Sequence, residues 1–326
     1  ESLVYYLDPG VPEPVRTALL DGARWWADAF AAAGFAEGFR VELLPEGIDP
    51  MDIRYNVIQW VHRSTRGWSY GLSGRDPRTG EIIKGVVSLG SLRIRQDLMI
   101  AQGLLSPFTA GTDEAAAAEQ LQSMALARIR QLSAHEVGHT LGLVHNYSAS
   151  TNGRTSVMDY PHPLLRLDDG RIDLMDAYAE GIGVWDKHAI AYGYSIVAPD
   201  EEAEFLERQI AAAKSADLRF VADSDARARG GAHPSGHLWD SGSDVVAELD
   251  STLEVRAVAL NNLGADSLRA GTPYGELADV LVPIFYLHRY QTEAVVKLIG
   301  GVEYDYSVKD GAETPRVAPV EAGLQQ

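Results

Sequence analysis

Apolar positions in the first 145 residues alternate between strand-like and helix-like spacing. Runs rich in β-branched and aromatic residues predict four strands, at residues 4–7, 39–44, 53–61 and 81–89. Helical spacing predicts a helix over residues 14–33, ended by Gly34, and a long helix over residues 113–141. The turn-rich segment 71–80 is predicted to be a loop. The resulting order β-α-β-β-β-α is typical of a mixed sheet backed by helices.

The pattern becomes irregular after residue 145. Residues 146–163 are rich in Ser, Thr, Asn, Gly and Pro, which predicts turns and loops. Helical spacing returns in four later segments: 176–194, 201–215, 253–268 and 274–299, the last broken or kinked at Pro283. Residues 223–244 are predicted to be a long loop, and the polar tail from Val308 is predicted to be extended.

These elements together predict an α+β fold with two lobes. The N-terminal lobe, residues 1–145, would hold a mixed twisted sheet and two long helices. The C-terminal lobe, residues 146–326, would be mostly helical and irregular. A chain of 326 residues is long enough to form one large domain or two smaller domains with sizeable cores.

The composition says little about the fold, but it excludes several classes of protein. The net charge is −18 and no basic patch stands out, so nucleic acid is not an expected partner. The chain has no cysteine, which excludes disulfides and thiolate metal ligands. No apolar run reaches the length of a transmembrane segment. Because the sequence begins at Glu1 without Met, we expect a portion of a longer precursor, with upstream domains or a pro-segment.

The run from His135 to His145 spells H-E-x-x-H-x-x-G-x-x-H. By composition, five such fixed positions arise by chance with a probability below roughly one in ten thousand. His135 and His139 are four residues apart and share one face of the predicted helix. Gly142 can adopt the left-handed conformation that ends a helix, which would bring His145 back as a third ligand. The spacing therefore predicts one Zn²⁺ held by three histidines.

Three protein ligands leave the fourth coordination position open, as in catalytic rather than structural zinc sites. Glu136 stands next to the first ligand, where a carboxylate can take a proton from the attacking water and deliver it to a leaving amine. The segment 156–160, Ser-Val-Met-Asp-Tyr, has the sequence of a Met-turn. The two motifs together predict zinc-assisted hydrolysis of a protein or peptide substrate.

The zinc motif and the Met-turn resemble those of the metzincin clan of zinc peptidases. The resemblance implies that Met158 forms a hydrophobic base beneath the metal and that the zinc lies in a cleft between the two lobes. Tyr160 stands two residues after the methionine, as in the astacins and serralysins. By resemblance it can ligate zinc at rest and hydrogen-bond the oxyanion during the reaction. Residues 186–193 loosely resemble the third helix of the clan.

The combination of HEVGHTLGLVHN, SVMDYP and WDKHAIAYGY is most similar to a bacterial group of large zinc-dependent metalloproteases. This resemblance implies an extracellular or periplasmic location at the cell envelope. The predicted strand 81–89 stands in the position of the clan's substrate-facing strand. We predict that this strand is the edge of the sheet and that an extended substrate pairs with it.

A second polar cluster lies in the stretch 223–244, which contains Asp223, Asp225, His233, His237, Asp240 and Asp244. Oxygen-rich loops can hold Ca²⁺, which makes this stretch a candidate calcium site. It lacks EF-hand spacing, and a solvated loop is the competing interpretation.

Three alternatives to a general endopeptidase stay open. One is a narrow-specificity peptidase that processes a single partner. Another is a non-catalytic binding module pinned by zinc, for which the general base Glu136 would have no use. A third is a gluzincin-type peptidase, in which a downstream glutamate is the last zinc ligand. The presence of Gly142 and His145 disfavours this alternative.

Overall fold

A five-stranded mixed sheet forms the centre of the N-terminal half. The structure is a computed structural model that describes residues 2–64, 68–109, 111, 113–309 and 317–326. The strands are β1 (Leu3–Leu7), β2 (Phe39–Leu43), β3 (Asn56–Val61), β4 (Tyr70–Arg75) and β5 (Ile82–Gly90). Their spatial order is β2-β1-β3-β5-β4. Strand β4 is antiparallel to β5, whereas the other pairings are parallel.

The prediction that the run 81–89 forms the edge of the sheet was wrong. Strand β5 pairs on one side with β3 and on the other with β4. Most of β5 is buried, as expected for a strand with neighbours on both sides. The edge is β4, which occupies the first part of the predicted loop 71–80. The rest of that loop is the tight turn before β5, where the amide of Asp76 donates to the carbonyl of Glu81.

Four helices accompany the sheet: α1 (Val15–Arg24), α2 (Trp26–Ala32), α3 (Leu92–Leu105) and α4 (Glu114–Thr140). The predicted helix over residues 14–33 is thus two helices that meet at Trp25. Helix α3 was not predicted, because its apolar residues do not form a clear stripe. The long helix was predicted correctly. Asp113 caps its N-terminus by accepting from the amides of Ala115 and Ala116 at 2.9 and 3.4 Å.

Helix α4 is the element around which the core is built. It packs against α1 so closely that a Cβ on Gly22 would lie 1.9 Å from the carbonyl oxygen of Arg130. The indole of Trp26 donates to the carbonyl of Ala134 at 2.8 Å, and both residues are fully buried. These contacts hold the C-terminal half of α4 against α1 and α2.

In its described residues, the C-terminal half contains six α-helices and two small hairpins. The helices are α5 (Val184–Tyr194), α6 (Glu202–Ser215), α7 (Asp223–Ala226), α8 (Val245–Asn262), α9 (Leu277–Phe285) and α10 (Arg289–Val296). The hairpins are β6 (Arg166–Asp168) with β7 (Arg171–Asp173), and β8 (Val302–Tyr304) with β9 (Val317–Pro319).

Several predicted boundaries in this half were displaced. Helix α8 begins at Val245 rather than 253, because Asp244 caps it. Pro283 lies inside α9, and the break follows Phe285 instead. The tail forms β9 rather than a free extended segment, although residues 310–316 of that prediction lie outside the described residues.

The observed fold is α+β with a mixed sheet, as predicted. Its largest hydrophobic core draws on the sheet, on α4 and on Val157, Met158 and Ile190, so it crosses the predicted lobe boundary at residue 145. The division into lobes 1–145 and 146–326 stays a prediction. Among the described residues, no helix combines the length and apolar character needed to cross a membrane.

Candidate zinc site

The three histidines of the motif converge at the end of α4. The Nε2 atom of His139 lies 3.1 Å from Nε2 of His135 and 3.2 Å from Nε2 of His145. The helix ends at Thr140, and Gly142 adopts a φ of +94° that favours glycine. The amide of Leu143 then donates to the carbonyl of Gly138 at 3.1 Å. This turn returns the chain toward the helix and places His145 beside the first two rings.

Each histidine uses its other ring nitrogen for a hydrogen bond. Nδ1 of His135 donates to the carbonyl of Val157 at 2.7 Å, and Nδ1 of His139 to the carbonyl of Leu143 at 2.9 Å. Nδ1 of His145 donates to the carboxylate of Asp223 at 2.7 Å. Because Nδ1 carries the proton, each Nε2 presents its lone pair toward the common centre.

This donor set fits zinc. Burial lowers the pKa of both His135 and His139, which favours the neutral imidazole that binds a metal. Nitrogen ligands of three histidines are a common zinc set, with one position left for water or substrate. Among the described residues, these three form the one group of at least three candidate side chains whose ligand atoms all lie within 4.8 Å of one another.

Glu136 lies beside the ligands and is almost fully buried. Desolvation raises the pKa of this carboxyl group to about 7, against the opposing effects of the Arg128 charge and of a hydrogen bond from the backbone amide of Gly71. The buried carboxyl group therefore lies at the floor of the site.

The edge strand β4 lies directly against the zinc motif. A Cβ on Gly71 would be 1.9 Å from the backbone oxygen of Glu136 and 3.0 Å from the Cβ of His139. Only glycine permits this approach, which brings the Gly71 amide to the Glu136 carboxyl group. Gly71 was not predicted to be a site residue because it falls in the predicted loop 71–80. The alternation of large and small residues over Tyr70, Gly71, Leu72 and Ser73 was the available signal.

Met158 is fully buried beneath the motif, and its Sδ lies 2.3 Å from where a Cβ on Gly138 would be. The adjacent segment is held by Asp186 of α5, whose carboxylate accepts from Ser156 Oγ at 2.6 Å and from the amide of Val157 at 2.9 Å. This placement agrees with the position expected for a Met-turn, and that name stays a prediction. Asp186 belongs to the segment that loosely resembled the third helix of the metzincins.

Tyr160 lies at the side of the histidine cluster. Its ring centroid is 4.6 Å from that of His145 and 5.5 Å from that of His135. Trp239 stacks on its outer face at 5.3 Å and donates its backbone amide to the Tyr160 carbonyl at 2.9 Å. Desolvation raises the pKa of the phenol, so its hydroxyl keeps its proton at neutral pH. Trp239 gave no signal in the sequence, since it comes 79 residues later in the chain.

The histidines, Glu136 and Tyr160 line an open cleft of about 480 Å³. Its opposite wall is formed by β4 and the residues just before it, from Trp68 to Arg75. Trp68, Tyr70 and Leu72 are exposed there. The cleft thus joins a metal-binding floor to an exposed strand edge.

The six polar residues of the stretch 223–244 do not come together. Each has a separate contact: Asp223 with His145, Asp225 with Tyr304 and Tyr306, His233 with the Tyr304 carbonyl, His237 with Glu293, Asp240 with Ser150, and Asp244 as the cap of α8. Among the described residues, no three of these six bring their ligand atoms within 4.8 Å of one another. Calcium binding in this stretch stays a prediction.

The α+β fold and a three-histidine cluster with an adjacent buried glutamate support a zinc metalloprotease. A comparison with family models identifies the family: residues 117–326 match the model described as Met-zincin, and the chain belongs to that family. The match begins in α4 and includes the whole zinc motif. No curated protein and no solved structure matches the chain.

Proposed function

We propose that this protein is a zinc-dependent endopeptidase that cleaves extended peptide segments. The observation that carries the proposal is the convergence of three Nε2 atoms beside a buried glutamate, in a cleft that runs along an unpaired strand edge. Membership of the Met-zincin family supports the same chemistry.

The histidines and Glu136 have separate roles in hydrolysis. Zinc bound by His135, His139 and His145 would supply a Lewis acid and lower the pKa of a bound water to about 7. Glu136 accepts a proton from the attacking water and delivers it to the nitrogen of the leaving amine. Water adds to the carbonyl carbon, the C–N bond breaks, and the products are a carboxylate and an amine.

Tyr160 is placed to act on the charge that develops during this reaction. The carbonyl oxygen becomes negative when water adds, and a phenol held beside the site can donate a hydrogen bond to it. The stacked ring of Trp239 and the ring of Tyr147, 5.5 Å away, keep the phenol at the side of the histidines. A donor that is already oriented costs little reorganisation at the moment of reaction.

Strand β4 supports binding of the substrate main chain. It pairs with β5 on one side, and in the described part of the sheet its other edge has no strand partner. A peptide laid along this edge in an extended conformation can exchange main-chain hydrogen bonds with it. Because Gly71 contacts α4 at Glu136, such a peptide would pass directly over the catalytic floor.

A zinc-pinned binding module is the competing class, and a single experiment separates the two. The zinc-loaded protein and its Glu136→Ala variant would be incubated with a diverse peptide mixture and the products identified by mass spectrometry. We expect internal cleavage by the wild type alone, at equal zinc content. An intact mixture after incubation with wild type would contradict the proposal. Cleavage of only one or a few peptides would indicate a narrow-specificity processing enzyme.

A further inference from the structure

The three histidines differ in the partner of their Nδ1 atoms. His135 and His139 donate to neutral backbone carbonyls, of Val157 and Leu143 respectively. His145 donates to a carboxylate, that of Asp223, at 2.7 Å. A charged acceptor forms a stronger hydrogen bond than a carbonyl and makes the opposite ring nitrogen more basic. The third ligand is therefore electronically distinct from the other two.

The Asp223 carboxylate is itself fixed by two further donors. Its Oδ2 accepts from His145, while its Oδ1 accepts from Tyr147 Oη and from the Arg227 guanidinium, each at 3.1 Å. The side chain of Asp223 is 41% exposed, but these donors determine its orientation. The carboxylate thus accepts from His145, from Tyr147 two residues further along the chain, and from Arg227 one helical turn after Asp223.

The backbone around Asp223 is attached to the backbone around His145. The amide of Tyr147 donates to the carbonyl of Val221 at 2.9 Å, and the side chain of Asn146 bridges to the carbonyl of Arg219 at 2.9 Å. The Asn146 oxygen also accepts from the amide of Val221 at 3.2 Å. Residues 219–223 are therefore held beside residues 145–147, and the approach of Asp223 to the ring is built into the fold.

We propose that Asp223 is a positioning residue of the zinc centre. It fixes the tautomer and the ring orientation of His145 and strengthens that nitrogen as a ligand, although it never contacts the metal. The inference rests on the proposed function, since it assumes zinc at the three histidines. It assigns a role to the segment after α6, to which the sequence motifs gave none.

The test compares three variants: Asp223→Ala, Asp223→Asn and the control Asp225→Asn. Asp225 lies on the same short helix, but it bonds to Tyr304 and Tyr306 rather than to a zinc ligand. Zinc dissociation constants would be measured by competition with a chelator. We expect Asp223→Ala to weaken zinc binding by about 10- to 100-fold. Asp223→Asn should weaken it less, because an amide oxygen still accepts from Nδ1. Asp225→Asn should bind zinc like the wild type.

A second readout separates positioning from damage to the fold. In zinc-free protein, proton–nitrogen correlation spectra of the His145 ring should show the Nδ1-protonated tautomer in the wild type and in Asp225→Asn. In Asp223→Ala they should show a mixture of tautomers. Wild-type zinc affinity in Asp223→Ala, or an unchanged tautomer, would overturn the inference. Equal losses in Asp223→Ala and Asp225→Asn would overturn it too.

These measurements do not depend on hydrolysis. If the wild type binds zinc but cleaves nothing, the proposed function fails while the result for Asp223 still stands.

Discussion

The two sides of the zinc site are built in different ways. His135 and His139 stand on one helix whose last turns are enclosed by a dense core, with Trp26 and Ser133 hydrogen-bonded across to Ala134 and Leu19. His145, Met158 and Tyr160 stand on irregular chain instead. They are held in place by Asp223, Asp186 and Trp239, which come from elements much further along the sequence.

This difference shows that the helix motif specifies only part of the site and that distant segments orient the rest. One rigid helix places His135, Glu136 and His139 together, since residues i and i+4 share a face, and a few backbone groups of Val157, Leu143 and Gly71 complete their hydrogen bonds. The remaining groups are oriented by hydrogen bonds and ring contacts between distant segments. Variants on the helix side should therefore change metal binding or chemistry with little effect on the fold. Variants on the other side should also affect orientation or stability, unless they keep the packing, as Tyr160→Phe does.

The largest effect is expected from the helix side, at Glu136. Glu136→Gln keeps the shape of the side chain but cannot accept the proton from water. We expect hydrolysis to fall by about a hundred- to ten-thousand-fold with zinc still bound. The measurement is the turnover rate at verified metal content. A variant with wild-type turnover would remove Glu136 from the mechanism.

The next effect is expected from the irregular side, at Tyr160. Tyr160→Phe keeps the ring between Trp239 and the histidines and removes only the hydroxyl. If the phenol stabilises the developing oxyanion, kcat should fall by about a hundred- to a thousand-fold while KM changes little. Steady-state kinetics check this. An unchanged kcat would leave the residue with a packing role, and a large rise in KM alone would indicate substrate binding.

The smallest effect concerns stability and pH, at Asp186. Desolvation raises the pKa of this carboxyl group to about 6, despite its hydrogen bonds from Ser156, Val157 and Gly183. An acid whose pKa is higher in the folded state contributes most stability below its unfolded pKa, and this contribution is lost as the pH rises through about 6. Between pH 4 and 7, the wild type should therefore lose up to about 3 kcal/mol of unfolding free energy relative to Asp186→Asn.

Urea unfolding of both proteins with a metal chelator present would measure this difference. All other titrating groups are common to the two proteins, so they cancel in the comparison. Parallel pH profiles would show that Asp186 has an ordinary pKa in the folded protein.

The helix side of the site could be predicted from the sequence, whereas most of the irregular side could not. The cluster of three histidines, the position of Glu136 beside it and the turn at Gly142 could be predicted because their geometry is local to one helix end. The roles of these residues stay predictions. The α+β class and the helix α4 were also predicted from periodicity. Asp186 and Trp239 could not be assigned roles, and Asp223 was placed only in a candidate calcium site, because their contacts join segments tens of residues apart and leave no spacing pattern.

The error at the sheet edge has a specific cause. The β-rich run 81–89 follows the predicted loop 71–80 and stands in the position of the clan's substrate-facing strand, which predicted that it is the edge; the segment 70–75 was not recognised as a strand. The true edge, β4, contains Gly71 and Gly74, residues that normally predict a loop. Gly71 is required there by the close contact with α4, a tertiary constraint that overrides local propensity.

The central claim is that these three histidines hold one zinc ion, and elemental analysis of purified protein tests it most directly. The account predicts one zinc per chain in the wild type and in Glu136→Gln, and little or none in His139→Ala. His139 is the ligand whose Nε2 lies within 3.2 Å of both others, so its loss should disrupt the set. Full zinc content in a folded His139→Ala variant would contradict the account.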